Sequence, residues 1–171
     1  MGKDVNDQSF LPGPATQRVF RDALGRFATG VTLITTQTES GLAGFTANSF
    51  AAVSLDPALV LWSAARSSAR YQIFSGATAY SIHILAAEQA ALTQSFSRGG
   101  AGFDGIDFTP SEDGIPMFPG TLARFDCLQH ATHDGGDHLI IVGRVIRFAL
   151  NDGAPLVFNQ GGFGTFTPQT A

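Results

Sequence analysis

With 171 residues, 44% of them hydrophobic and 14% charged, the chain has material for one domain with a sizeable core, or at most two domains. A formal charge of −4 and a pI near 5.4 exclude the basic stripe that nucleic-acid binding requires. The longest largely apolar run, Ala58–Ala65, is too short to cross a bilayer. The single cysteine, Cys127, excludes an intramolecular disulfide and, inside the alternating segment LARFDCLQ, reads as a buried structural thiol.

Two further biases stand out. Fifteen Phe against two Tyr and one Trp indicate an apolar aromatic core and an apolar interface. Nine Arg stand beside one Lys, Lys3. Arg suits bidentate recognition of phosphate or carboxylate, but coding bias accounts for most of the nine.

In chain order, residues 1–13 read as a flexible polar lead, and 14–171 as a single domain. The opening MGKDVNDQSFLPGPA has no apolar run of the secretory kind, so a cytoplasmic protein is expected. From Pro14 to Thr29, Val19, Phe20, Leu24, Phe27 and Ala28 recur at helical spacing, and Gly30 follows as a stop signal. The spacing predicts an amphipathic helix packed on something apolar.

Val31–Gln37, rich in β-branched residues, predicts a strand. Ser40-Gly41 makes a turn, and Leu42–Leu55 reads as one long strand closed by Asp56-Pro57. Leu59–Ala65 follows as a third strand, ended by the loop Arg66-Ser67-Ser68-Ala69-Arg70. A short helix over Tyr71–Ser75, a strand over Tyr80–Leu85 and a helix over Ala87–Phe96 come next. Residues 97–120, with six Gly and three Pro, read as a long surface excursion, a lid or a dimer arm.

Leu122–His133 and His138–Leu150 flank the turn signal Asp134-Gly135-Gly136-Asp137. The second of these strands is apolar on both parities, which suits a strand covered on both faces. A short strand, Pro155–Asn159, precedes the tail GGFGTF. The fold class that follows is mainly β: an antiparallel barrel of six or seven strands with a few helices. A doubly wound sheet is excluded because helices do not alternate with strands, and no G-x-G-x-x-G follows the first strand.

Three constellations could carry chemistry. In the first, Thr46, Ala47, Asn48 and Ser49 are small or polar where a core strand would carry Val or Ile. Small side chains let a flat ring approach backbone N–H donors. Ser63, Ser67, Ser68 and Arg70 then supply hydroxyls and a guanidinium suited to phosphate. The same residues also fit a β-bulge whose hydroxyls satisfy turn backbone. In the second, HDGGDH, Asp137 and His138 open a strand directly after a turn. There an imidazole can face a substrate, or Asp137 can simply accept turn N–H bonds. The spacing of His130, His133, Asp134 and His138 fits no common metal motif, so no metal is expected. In the third, the glycines of Phe158–Phe163 would let Phe163 fold over a ligand, or the tail frays around one anchoring Phe. His83, inside YSIHIL, reads as a core or interface residue.

Four segments together resemble the flavin reductase-like family of FMN-binding split barrels, the short-chain NAD(P)H:flavin oxidoreductases. They are FRDALGRFATGVTLITT (Phe20–Thr36), GFTANSFAAVSLDPALV (Gly44–Val60), FDCLQ (Phe125–Gln129) and GDHLIIVGRV (Gly136–Val145). The resemblance implies an FMN-binding split barrel of Greek-key type that passes hydride from NADH or NADPH to FMN or FAD. It implies that Thr46–Ser49 line the isoalloxazine, and that Ser63, Ser67, Ser68 and Arg70 follow the ribityl phosphate. Phe96 and Phe163 would flank the ring or the nicotinamide. Gly136-Asp137-His138 looks like the family's G-D-H motif, with His138 as the catalytic-site histidine beside the nicotinamide. The resemblance further implies a homodimer with the flavin at the subunit interface, and transfer of reduced flavin to a partner monooxygenase. One departure is the tail, where Phe158 and Phe163 replace the family's tyrosines. The alternatives are a flavin- or haem-binding electron carrier or sensor without NAD(P)H turnover, and an assembly module with a vestigial site.

Overall fold

A computed structural model describes residues 8–97 and 102–169 of the chain. Residues 1–7 of the expected flexible lead lie outside the described residues, as do 98–101 of the expected excursion.

A single 3₁₀ turn, Pro14–Thr16, leads into helix α1 (Gln17–Leu24). Strands β1 (Thr29–Gly30), β2 (Thr32–Thr38), β3 (Gly41–Ala47), β4 (Ala51–Leu55) and β5 (Ala58–Ala65) follow. After them come α2 (Tyr71–Gly76), β6 (Ala79–Ile84), a 3₁₀ turn with α3 (Ala90–Ser95), and the short pair β7 (Thr109–Pro110) and β8 (Pro116–Met117). The chain finishes with β9 (Ala123–Gly135), β10 (His138–Leu150), β11 (Leu156–Asn159) and β12 (Gly162–Thr165).

Seven strands form one antiparallel sheet in the order β3-β2-β6-β9-β10-β5-β4. Strands β3 and β4 are consecutive in the chain yet hold opposite edges of that sheet. Residues 48–50 therefore join the two edges, and β3 also lies against β5. The sheet is thus curled on itself into a barrel with an open seam, which is the expected mainly β architecture. Its interior is filled by Ile34, Trp62, Phe74, Tyr80, Ile82 and Ile141, all inaccessible to solvent. Trp62 packs edge-on against both Phe74 and Tyr80, with ring centres 5.4 and 6.0 Å apart.

The single long strand expected over Leu42–Leu55 is therefore two strands with a corner between them. Side chains hold the corner: Thr32 Oγ1 donates to the Ala47 carbonyl at 2.7 Å, and the Ser63 N–H donates to Ser49 Oγ at 2.9 Å. Helix α1 ends at Leu24 instead of reaching Thr29, because Thr29-Gly30 pairs with β11. The Gly25 carbonyl accepts from the Gln160 N–H at 3.0 Å, tying the helix end to the same sheet.

The described part of the expected excursion packs inward. Phe103, Ile106 and Phe108 cover a second core of Val31, Leu33, Leu85, Phe96, Phe118 and Leu156. The tail is likewise ordered as a strand. Gln160 and Gly161 both take positive φ, +49° and +84°, which makes the two-residue turn between β11 and β12 right for a hairpin. The strand β10 is covered over its first half only. Ile146, Phe148 and Leu150 stand exposed in its second half. The apolar face of α1, with Val19, Phe20 and Leu24, is exposed as well, so no element of the described chain provides the apolar surface expected beneath it.

Candidate functional site

The seam of the barrel opens into two adjoining grooves. The first, about 350 Å³, is lined by Thr46, Ala47 and Asn48 at the end of β3, by Thr93, Gln94 and Ser97 from α3 and its cap, and by Val31, Phe158 and Phe163. The second, about 720 Å³, is lined by Ser67, Ser68, Ala69 and Arg70 from the loop after β5, together with Phe45, Ala65 and Phe96. Thr46 and Ser97 belong to both.

Local chemistry explains each wall. As an edge strand, β3 has one side of its backbone outside any ladder, so its outward N–H groups remain available to a ligand. The Ser67–Arg70 loop is a tight turn: the Ser68 N–H donates to the Ala65 carbonyl at 3.0 Å, and the Arg70 N–H to Ser68 Oγ at 3.2 Å. Arg70 forks onto the Ser97 carbonyl with both terminal nitrogens at 3.3 Å, and no carboxylate among the described residues pairs with it. Its charge thus faces the second groove without a counter-ion. On the far side, the hairpin register sets Phe163 opposite Phe158, with ring centres 5.5 Å apart.

Thr46, Ala47, Asn48 and Phe163 meet in the first groove, and Ser67, Ser68 and Arg70 in the second. Ser49 and Ser63 bond to one another at the corner and line neither groove. Phe96 forms part of the second groove's wall but is 1% exposed, locked edge-on against Phe103 at 4.9 Å. Asp137 and His138 stand at the β9–β10 turn, where His138 is the cross-strand partner of Ala65. Their side chains are joined at 2.7 Å through His138 Nδ1 and Asp137 Oδ1. That hydrogen bond holds the Asp137 carboxyl below the usual carboxylate range. An ionised carboxylate can only accept, so Nδ1 carries the proton and Nε2 is the ring atom left for a substrate.

Sequence reasoning did not single out Thr93 and Gln94, inside the expected helix over Ala87–Phe96, or Ser97, the first residue of the expected excursion. Val31 reads only as the start of a strand, and Phe158 only as the first residue of the tail that carries Phe163; both line the first groove. Cys127 is buried and its thiol is pushed up to about 12, first by burial and then by the neighbouring Asp126. It is a packed, protonated thiol at neutral pH.

A curled antiparallel sheet with a seam that offers edge-strand amides at one end and a hydroxyl–guanidinium loop at the other defines the class of flavin-binding split barrels. This chain belongs to the flavin reductase-like family, whose sequence profile, described as "Flavin reductase like domain", matches residues 24–167. It is 53% identical over 167 residues to the FMN reductase (NADH) SmoA of Agrobacterium fabrum, covering 98% of this chain and 96% of that protein. It is 39% identical to the flavin-dependent monooxygenase reductase subunit HsaB of Rhodococcus jostii, over 98% of this chain and 87% of that one. Among solved structures, the NADH:FAD oxidoreductase SgcE6 of Streptomyces globisporus, in complex with NAD and FAD fragments, superimposes with a TM-score of 0.87. The two are 31% identical, and the alignment covers 95% of this chain and 100% of that one.

Proposed function

We propose that the paired grooves are where this NAD(P)H-dependent flavin reductase brings NADH and FMN together. The observation that carries the reading is the convergence of Thr46–Asn48, Ser67–Arg70 and Phe163 on two spaces that meet at Thr46 and Ser97. The donor set fits a flavin mononucleotide. Ala47 adds almost no side chain to the ring end, and outward amides of an edge strand suit ring carbonyls and nitrogens. Ser67, Ser68 and the unneutralised Arg70 suit a phosphate. When bound, the flavin supplies the electron-accepting centre for a hydride from the nicotinamide.

The residues of this chain bind and orient. The outward amides of the β3 edge would hold the flavin ring and would stabilise negative charge on its reduced form, as an oxyanion hole does. Phe163 and Phe158 give the first groove an apolar wall. Asp137 fixes the tautomer and direction of His138, and His138 positions the nicotinamide without an obligatory proton transfer. His138→Ala is expected to raise the KM for NADH about tenfold while changing the Kd for FMN less than twofold, the size of one lost hydrogen bond. Collapse of flavin affinity with an unchanged KM would refute that role.

Mixing protein, FMN and NADH and following the nicotinamide absorbance tests the reading as a whole. Sustained oxidation is expected; a yellow protein inert to NADH would mark a carrier instead. Relatives that serve as monooxygenase reductase subunits support delivery of reduced flavin to an oxygenase. Residues 14–171 act as one domain, and the enzyme works in the cytoplasm, where its reductant is; no helix among the described residues is long and apolar enough to cross a membrane.

A homodimer accounts for the open apolar faces of α1 and of β10, on which Phe148 is 71% and Leu150 78% exposed. Light scattering during gel filtration is expected to give twice the 18.0 kDa chain mass. A Phe148→Glu variant should shift the protein toward monomer, and a wild type already monomeric at micromolar concentration would refute the dimer.

A further inference from the structure

We infer that Arg66 is a positioning residue for the reductase reaction, holding the β9–β10 turn in the orientation that presents His138. The inference rests on the role given to His138 above. Arg66 directly follows β5, the strand that leads into the groove loop, and it is bonded to two separate segments, the β9–β10 turn and the start of α2. Its backbone N–H donates to the Asp137 carbonyl at 2.9 Å. Its Nε donates to the Gly136 carbonyl at 3.0 Å, and its Nη2 to Asp134 Oδ1 at 3.0 Å. Its Nη1 donates to Tyr71 Oη at 2.8 Å, with the guanidinium carbon 5.6 Å from the centre of the Tyr71 ring. Asp134 Oδ1 also accepts the Gly136 N–H at 3.1 Å, closing the network within the turn.

Stability does not explain this network. The Arg66 side chain is 42% exposed and that of Asp134 80%, and ion pairs so open to water contribute little to folding. Direction does explain it. A rigid planar fork satisfied on all three nitrogens has one orientation, which a flexible ammonium cannot reproduce. The two carbonyls it holds belong to the two residues immediately before His138. Tyr71 in turn packs against the barrel interior, so the turn is referenced to the rigid core and not to solvent. The Asp134 carboxyl is held below its usual range, first by the hydrogen bond from Arg66, so the network persists through neutral pH.

Steady-state kinetics on Arg66→Lys, Asp134→Asn, His138→Ala and the Arg66→Lys/His138→Ala double variant decide the matter. Arg66→Lys is expected to raise the KM for NADH about fivefold with kcat near wild type and a melting temperature within about 2 °C, as for an exposed pair. Asp134→Asn, which preserves shape, should move the KM the same way by a smaller factor. In the double variant the KM should equal that of His138→Ala alone, since a misplaced side chain that is already absent costs nothing more. Multiplying effects in the double variant would overturn the inference. So would an unchanged KM in Arg66→Lys beside a raised one in His138→Ala, in which case the role of His138 survives. An unchanged KM in His138→Ala removes both.

Discussion

Lowering the pH from 7 to 4 is expected to weaken the fold by about 3 kcal/mol through one residue, His83. Its ring is inaccessible to solvent, edge-on to Phe118 with ring centres 5.5 Å apart. Nδ1 donates to the Leu33 carbonyl at 3.0 Å, while Nε2 has no partner among the described residues. Burial is the main cause that lowers the His83 pKa to about 4. Arg124 opposes the charge further, and the Leu33 carbonyl and Asp126 favour it without offsetting the burial. The sign follows from proton counts. Above the unfolded value near 6.5 both states are neutral and His83 adds no pH dependence. Between 6.5 and about 4 the unfolded chain binds a proton that the folded chain refuses, so stability is lost as the pH is lowered; below about 4 the loss is complete. Urea midpoints at three pH values for wild type and His83→Gln measure this. The slope in this window should flatten in the variant, whatever its baseline. Parallel slopes would show that other groups carry the acid sensitivity.

Gly44→Ala is expected to cost about 3 kcal/mol, the upper part of the range for overpacked cores. Gly44 lies on β3, and a Cβ there would fall inside the contact distance of the Phe96 ring at Cδ1 and Cε1. Phe96 cannot yield, because Phe103 and Phe118 hold it on its other sides at 4.9 and 5.7 Å between ring centres. In a chain of this size the melting temperature should drop by about 10 °C. Since Phe96 also walls the second groove, FMN affinity should weaken in the same variant. Gly76→Ala is the control: a Cβ there meets nothing within 4 Å, and the substitution should be neutral or slightly stabilising. Equal melting temperatures for the two variants would refute the packing argument.

Element types were largely legible, and connections were not. The run Val31–Gln37 reads as a strand because β-branched residues favour it, and β2 covers Thr32–Thr38. Leu42–Leu55 reads as one strand because its pattern never breaks. The break at Asn48 comes from hydroxyls on Thr32 and Ser49, whose partners are 15 and 14 residues away. Thr46–Asn48 stood out by their lack of bulk, and Ser67–Arg70 by their chemistry. Arg66 did not, because the carbonyl it holds is 70 residues distant and its role exists only once β5 and β10 are paired.

From the order of residues alone came the mainly β class, the family resemblance, the hairpin at HDGGDH and the small-residue stretch that forms one groove wall. The class, the hairpin and the small-residue stretch depend on periodicity and on side-chain size, which are local properties, and the resemblance depends on four short segments of matching residues. Three-dimensional packing decided where the barrel seam opens, that Ser49 and Ser63 close a corner outside both grooves, that Phe96 is a buried wall, and that α3 contributes Thr93, Gln94 and Ser97. It also exposed the apolar faces of α1 and β10. Each of these depends on which distant strands become neighbours, and a pattern read along one chain carries no record of that.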